Sequence, residues 1–261
     1  MIGIVVPTLG TRPDYLRECL HSISKAGTEK CSVYVVVVAP KSFRSTELIR
    51  SGLVHAYVED PGRGLAEAIN TGFAHMPDQV KYINWLGDDD LLKEDSLHFS
   101  SLYLNQNPET VMVFGDCEYI DPEGRTIWTN KPSEFAVPLL RVGPDLIPQP
   151  GALFKRESFN EVLGLDSTYK WAFDFDLFIK FSKIGKLSYM DRVLGSFRWH
   201  PESLSVEHRR DSVQEASKVR TSHLPNSLRV LSPIWEIPVR LATFLAGMLV
   251  TARSRKLDSQ R

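Results

Sequence analysis

The sequence predicts an α/β fold built on a doubly wound parallel sheet of nucleotide-binding type, on three observations. Short β-branched runs alternate with helical patterns through the first hundred residues. Turn-rich loops follow the first and third of those runs, at the strand ends where open α/β sheets place their ligands. The fourth run, Lys81 to Leu86, leads straight into Gly87-Asp88-Asp89-Asp90.

Ile2 to Val6 reads as a strand stopped by Pro7, and Asp14 to Ala26 carries Leu16, Cys19, Leu20 and Ile23 at helical spacing. Ser32 to Val38 is nearly all Val and Tyr, as expected of a parallel strand buried on both faces. A short helix is expected near Ser45 to Arg50, and a third strand over Val54 to Val58. Asp60-Pro61-Gly62-Arg63-Gly64 then makes a tight turn into a helix that packs Leu65, Ala68 and Ile69 on the sheet.

The second half has a different texture. Val111 to Asp116, Tyr119 to Ile120 and Thr126 to Thr129 read as strands around a turn at Asp121-Pro122-Glu123-Gly124. Leu153 to Lys155, a helix near Arg156 to Leu163, and strands over Leu187 to Met190 and Val193 to Trp199 follow. Between them Asp174, Leu177, Phe178 and Phe181 keep helical spacing. Asp174 and Asp176 stand about 200° apart on that helix, so only one of the two should face a given cleft.

Three adjacent carboxylates repel one another unless a cation, a helix N-terminus or open water relieves them. Mg²⁺ or Mn²⁺ takes one or two protein carboxylates and completes its shell with water and phosphates, so Asp88 to Asp90 suits a phosphate-bearing ligand. The competing reading has these aspartates capping a helix predicted over Lys93 to Tyr103. Both readings stand on the acid triplet alone.

Ordinary apolar and charged fractions indicate a globular protein with a substantial core, and a net charge of −1 argues against nucleic acid as a partner. Cys19, Cys31 and Cys117 show no metal or disulfide spacing, which fits a reducing cytoplasm. The first residues lack the basic region and long apolar core of a signal peptide. From His208 onward ten Lys or Arg stand against four Asp or Glu, with an uncharged run from Leu241 to Ala252 that is too short to span a bilayer.

These motifs together resemble the inverting family-2 glycosyltransferases with the GT-A fold that build bacterial surface polysaccharides and glycolipids. The resemblance covers roughly residues 1 to 207. It rests on Val5-Val6-Pro7-Thr8, Gly64-Leu65-Ala66 through Asn70-Thr71-Gly72, Leu86-Gly87-Asp88-Asp89-Asp90, Asp174-Phe175-Asp176-Leu177, and Phe197-Arg198-Trp199-His200 with Ser203 and Ser205. It implies a nucleotide-sugar-binding half over residues 1–100 and an acceptor and catalytic-base half over 101–207, and the charge bias marks 208–261 as a basic helical tail beyond it.

By this resemblance Asp89 and His200 would ligate Mn²⁺ or Mg²⁺. Pro7, Thr8, Arg12, Gly64, Asn70 and Asp88 would contact the nucleotide-diphosphate sugar, Arg12 or Arg63 assisting the leaving group. Asp174 would be the base, with Asp176 as its rival. Gln149 and Asp176 would lie on the acceptor side, where Asp116, Glu118, Trp128, Phe135 and Trp171 are further possibilities. Asp90 would cap the next helix rather than touch metal.

Two departures bear on the nucleobase: Ala39-Pro40 stands where the family often has paired aspartates, and Ile69 where it often has arginine. The acceptor would be a glycan or a lipid-linked sugar at the inner face of the membrane, with the tail on lipid, on the enzyme itself or on a second subunit. A sugar nucleotidyltransferase and a non-catalytic sugar- or nucleotide-binding relative are the rival functions.

Overall fold

The computed structural model describes residues 1–28, 31–43, 50–200, 203 and 208–258. Its strands are β1 (Ile2–Pro7), β2 (Val33–Ala39), β3 (Ala56–Glu59), β4 (Tyr82–Trp85), β5 (Leu91–Leu92), β6 (Thr110–Ile120), β7 (Thr126–Asn130), β8 (Leu153–Lys155) and β9 (Lys186–Arg198). The helices are α1 (Pro13–Ala26), α2 (Leu65–Ala74), α3 (Ser96–Gln106), α4 (Ala136–Leu139), α5 (Arg156–Glu161), α6 (Phe173–Ile184), α7 (Arg209–His223), α8 (Asn226–Arg229) and α9 (Pro233–Asp258). The helix expected near Ser45 falls on residues 44–49, outside the described residues.

One sheet runs through the molecule in the order β3-β2-β1-β4-β8-β6-β9-β5, with β7 added to β6. The first four strands are mutually parallel, and β8 runs antiparallel to both β4 and β6. Alternation along β2 explains how both faces are filled: Val35 and Val37 join Ile4, Val6 and the Leu16, Leu20 and Ile23 face of α1. Val36 and Val38 join Val5, Ile69 and Phe73 on the α2 side.

The runs predicted separately after residue 110 merge into two long strands. β6 pairs β8 through Met112 and Val113 and β7 from Cys117 onward, forming the expected hairpin. β9 is continuous because it lies parallel to β6 along its length, absorbing register shifts near Gly115 and Asp116. The aspartate triplet does not cap α3, which starts at Ser96, after Asp95 and well past Asp90.

The C-terminal stretch is longer and better docked than its sequence suggests. α7 packs on α6 and α9, and Arg220 of α7 meets Glu236 of α9 in a buried bidentate pair at 2.7 Å for both contacts. The run Leu241 to Ala252 is part of a 26-residue helix. Its segment 233–255 is long and apolar enough, by length and composition, to cross a membrane.

Candidate active site

Parallel pairing of β1 with β4 carries Thr8 and Arg12, just beyond β1, to the aspartates just beyond β4. Thr8 Oγ1 donates to Asp88 Oδ2. Arg12 forks across the cluster, Nη2 lying 2.8 Å from Asp88 Oδ1 and Nη1 2.6 Å from Asp89 Oδ2. His200, at the end of β9, brings Nε2 to 2.9 Å from Asp89 Oδ2 and 3.0 Å from Arg12 Nη1. Ser203 fixes this turn by donating to the Arg198 carbonyl at 2.8 Å. Pro7 is the last residue of β1 and half-buried.

The three carboxyls sit in three electrostatic settings. Burial raises Asp88 above its ordinary value despite Thr8 and Arg12. Burial also acts on Asp89, but the His200 hydrogen bond and Arg12 together hold it below the usual range. Asp90 is pushed well up by burial and then by Asp89. Its Oδ1 accepts the Arg198 amide at 2.9 Å, so it anchors the end of β9 instead of capping a helix.

Arg198 is 1% exposed and fully engaged. Its guanidinium reaches the Asp89 carbonyl at 2.8 Å, the Pro122 carbonyl at 2.7 Å and Glu18 at 2.6 Å, and lies 4.3 Å from the Tyr15 ring centre. It braces the strand ends that carry Asp89 and His200.

Among the described residues no group of three or more His, Cys, Asp or Glu is disposed to hold a metal. Asp89 and His200 meet at one point but are bonded there to each other and to Arg12, so a divalent ion would have to displace those contacts, with phosphates and water completing its shell. Arg12 is the protein's own cation at this point.

Gly64, ahead of α2, has φ of 103°, and a Cβ there would meet only open space. A ligand can therefore approach this backbone closely. Arg63 pairs with Glu67 at 2.6 Å on the exposed surface. Asn70, expected beside the nucleotide, is engaged elsewhere, since its amide donates to the Leu165 carbonyl at 2.8 Å and accepts from the Leu165 amide at 3.0 Å. It ties α2 to the segment leading into α6.

The Phe173 ring lies 6.0 Å from that of Trp85, which brings the start of α6 to the same sheet end as the acid cluster. Asp174 accepts from the Phe175 amide at 2.8 Å and lines a cavity of about 180 Å³ with Asp145, Trp171, Arg220 and Thr243. Burial raises the Asp174 carboxyl to about 6, and Glu215 adds to the rise. Asp145 is driven well up by burial and by Asp174.

Asp176 does not share this cavity. It is buried and held by His223 at 2.7 Å and Lys180 at 2.6 Å, contacts that outweigh burial and keep it low. That makes it an internal ion-pair partner, not a group open to an acceptor. Gln149 is likewise engaged, donating to Asn84 Oδ1 at 2.9 Å and the Trp85 carbonyl at 2.8 Å. Its loop lies flat on β9, where a Cβ on Gly151 (φ 87°) would come within 2.7 Å of the Leu194 backbone.

Asp116 accepts from Tyr189 at 2.6 Å and Glu118 from Lys93 at 2.6 Å, so both serve the sheet. The Arg253 guanidinium lies 4.4 Å from the centre of the Trp128 ring, and Trp128 and Phe135 are both exposed.

Comparison with known proteins matches residues 3–178 to the model of glycosyl transferase family 2. The chain belongs to that family. Uncharacterized glycosyltransferases of Rickettsia bellii and Rickettsia prowazekii are similar to it, 26% identical over 214 residues and 23% over 207, each over 77% of this chain. The chain spans only 30% and 64% of those two proteins. Among solved structures it resembles S. aureus TarS in complex with UDP-GlcNAc, at a TM-score of 0.63 and 14% identity over 87% of this chain and 69% of that one. It also resembles the mannosyltransferase PcManGT from Pyrobaculum calidifontis in complex with GDP-Man and Mn²⁺, at 0.62 and 18% over 99% and 79%. The structural likenesses show a GT-A-like α/β fold, and the family match shows membership of glycosyl transferase family 2.

The family match takes in Thr8, Arg12, the acid cluster and Asp174, and stops before His200. Four residues that organise the site carry no signal in the sequence read alone: Asp145, Arg198, Glu215 and Arg220. Arg198 lies within the Phe197-Arg198-Trp199-His200 motif, but nothing in that motif tells a buried brace from a surface cation.

Proposed function

We propose that this glycosyltransferase is metal-dependent and inverting, and moves a sugar from a nucleoside-diphosphate donor to a hydroxyl of a glycan or lipid-linked acceptor. The observation that carries the proposal is the pairing, at one sheet end, of a cation-held Asp89 and His200 site with a cavity containing a carboxyl near neutrality.

In this reading Asp89 and His200 hold Mg²⁺ or Mn²⁺. The ion, when bound, supplies Lewis-acid neutralisation of charge on the leaving diphosphate. Asp88 is braced by Thr8 next to the donor loop. Arg12 turns its guanidinium from the carboxylates toward phosphate oxygens once the donor arrives. Gly64 leaves room for the nucleotide above α2. Asp174, ionised at neutral pH but basic for a carboxylate, accepts the acceptor hydroxyl proton as that oxygen attacks the anomeric carbon.

The donors named in the TarS and PcManGT structures, UDP-GlcNAc and GDP-Man, support a nucleotide-sugar substrate and leave the base to experiment. Family membership favours this over a sugar nucleotidyltransferase. Calorimetric titration with UDP, GDP, dTDP and CDP, each with Mn²⁺ and again with EDTA, tests the donor half. One diphosphate should bind tightly in Mn²⁺ and weakly in EDTA, and failure of all four under both conditions would sink the reading.

The tail supports a lipid-linked acceptor. Val230, Ile234, Ile237, Leu241, Met248 and Leu249 are exposed along α9 and the turn before it, with Arg240, Arg253 and Arg255 beside them. An apolar stripe with basic flanks suits an anionic lipid surface. Co-sedimentation with anionic vesicles should be lost in Ile237→Asp/Leu241→Asp. If those changes instead turn a dimer into a monomer without affecting vesicle binding, the stripe is a subunit contact.

A further inference from the structure

The tail sends one carboxylate into the helix that carries Asp174. Glu215 of α7 receives three successive backbone amides. Lys170 N lies 3.1 and 3.0 Å from its two oxygens, Trp171 N 2.6 Å from Oε2 and Ala172 N 2.8 Å from Oε2. Successive amides of this kind form an anion-binding nest, here occupied by the protein's own side chain.

The nest leads directly into α6, and Asp174 is the second residue of that helix. Free amides and the positive end of a helix dipole stabilise a carboxylate in the first turn. Asp174 draws that stabilisation from the Phe175 amide at 2.8 Å, and an anion seated on the three amides just before the helix offsets part of it by repelling a second negative charge. Glu215 lies outside the stretch matched by the family model, so this is a contribution of the segment beyond it.

The remaining charged groups facing Asp174 do not reverse the effect. Asp145, in the same cavity, is also acidic. Arg220 from α7 is the cation in the cavity lining, and its guanidinium is taken bidentately by Glu236 of α9. Thr243 is what α9 itself contributes to the lining, and His208 rests against Trp171 with ring centres 5.7 Å apart.

We propose that Glu215 is a positioning residue for Asp174, fixing the entry to its helix and keeping its carboxylate a proton acceptor instead of a stabilised anion. The proposal rests on the reading of Asp174 as the base, and makes α7 part of the transferase unit.

The test follows the Asp174 carboxyl carbon by NMR against pH in the 261-residue chain, with the resonance assigned by its absence from Asp174→Asn. In Glu215→Gln, which keeps the shape and one acceptor oxygen, the midpoint should fall by about one pH unit. Glu215→Asp, which keeps the charge, should stay closer to wild type and provides a second reading if the glutamine variant folds poorly. An unmoved midpoint in a folded Glu215→Gln protein overturns the proposal. Transfer retained by Asp174→Asn would instead overturn the base assignment, whatever the titration shows.

Discussion

Asp89 and Asp174 stand at the same end of one sheet, yet their surroundings drive them in opposite directions. Asp89 meets Arg12 and His200 within 3 Å and is held as an anion. Asp174 is raised to about 6 chiefly by burial, with Glu215 adding to the rise, and the Arg220 that lines its cavity is paired with Glu236. The difference lies in the partners rather than the residue type. One region is arranged to keep negative charge beside a cation, and the other to take up a proton.

The sharpest way to break this contrast is Asp174→Asn. Transfer should fall by about 10²- to 10⁴-fold, the range expected for losing a positioned base, with diphosphate affinity unchanged. Removing a carboxyl that burial disfavours should not lower the thermal midpoint. If transfer survives, the two regions do not divide the work as argued.

Next in size is the buried pair behind the Asp174 cavity. Arg220→Met alone should destabilise the protein by about 3–5 kcal/mol, because Glu236 is left buried and uncompensated. Arg220→Met/Glu236→Leu should recover most of that loss in a chemical denaturation series. Equal damage in the single and double variants would show that the pair matters for packing and not for charge.

On the donor side, Asp89→Asn should weaken diphosphate binding in Mn²⁺ by at least about tenfold, since even outer-sphere partners of a metal are worth that much. EDTA should weaken the wild type similarly and the variant little further. A variant that keeps the Mn²⁺ dependence would move the site away from Asp89 and His200.

Much of this contrast was legible in the sequence, and the illegible part has a physical reason. The parallel β3-β2-β1-β4 half followed from periodicity because each strand and helix there is short, local and patterned on one face or two. Asp88, Asp89, Asp174 and His200 could be singled out from motif order, and the fold brings Asp88, Asp89 and His200 together around Arg12. Asn70, Gln149 and Asp176 look equally functional in the chain, but each meets its partner through tertiary packing, at Leu165, Trp85 and His223. Asp90 misled for the same reason, since its partner Arg198 lies 108 residues away. Glu215 could not be read at all, because a carboxylate on a polar helix looks like a solvated one until the fold brings three amides to it.

The finest test uses pH, where the two regions should separate without any mutation. A base held at about 6 is protonated below that value, so at saturating donor the transfer rate should drop about tenfold per pH unit below 6 and level off above it. Stability runs the other way. A carboxyl whose folded value exceeds its unfolded one contributes most at low pH, and that contribution is lost as pH rises through about 6. The thermal midpoint of wild type relative to Asp174→Asn should therefore fall between about pH 4 and 6 and level off above, over the interval in which the transfer rate climbs. Coincidence of the two curves would tie the rate-limiting proton to Asp174. An acid limb unrelated to the stability difference would assign that proton to another group in the cavity, with Asp145 the first to replace.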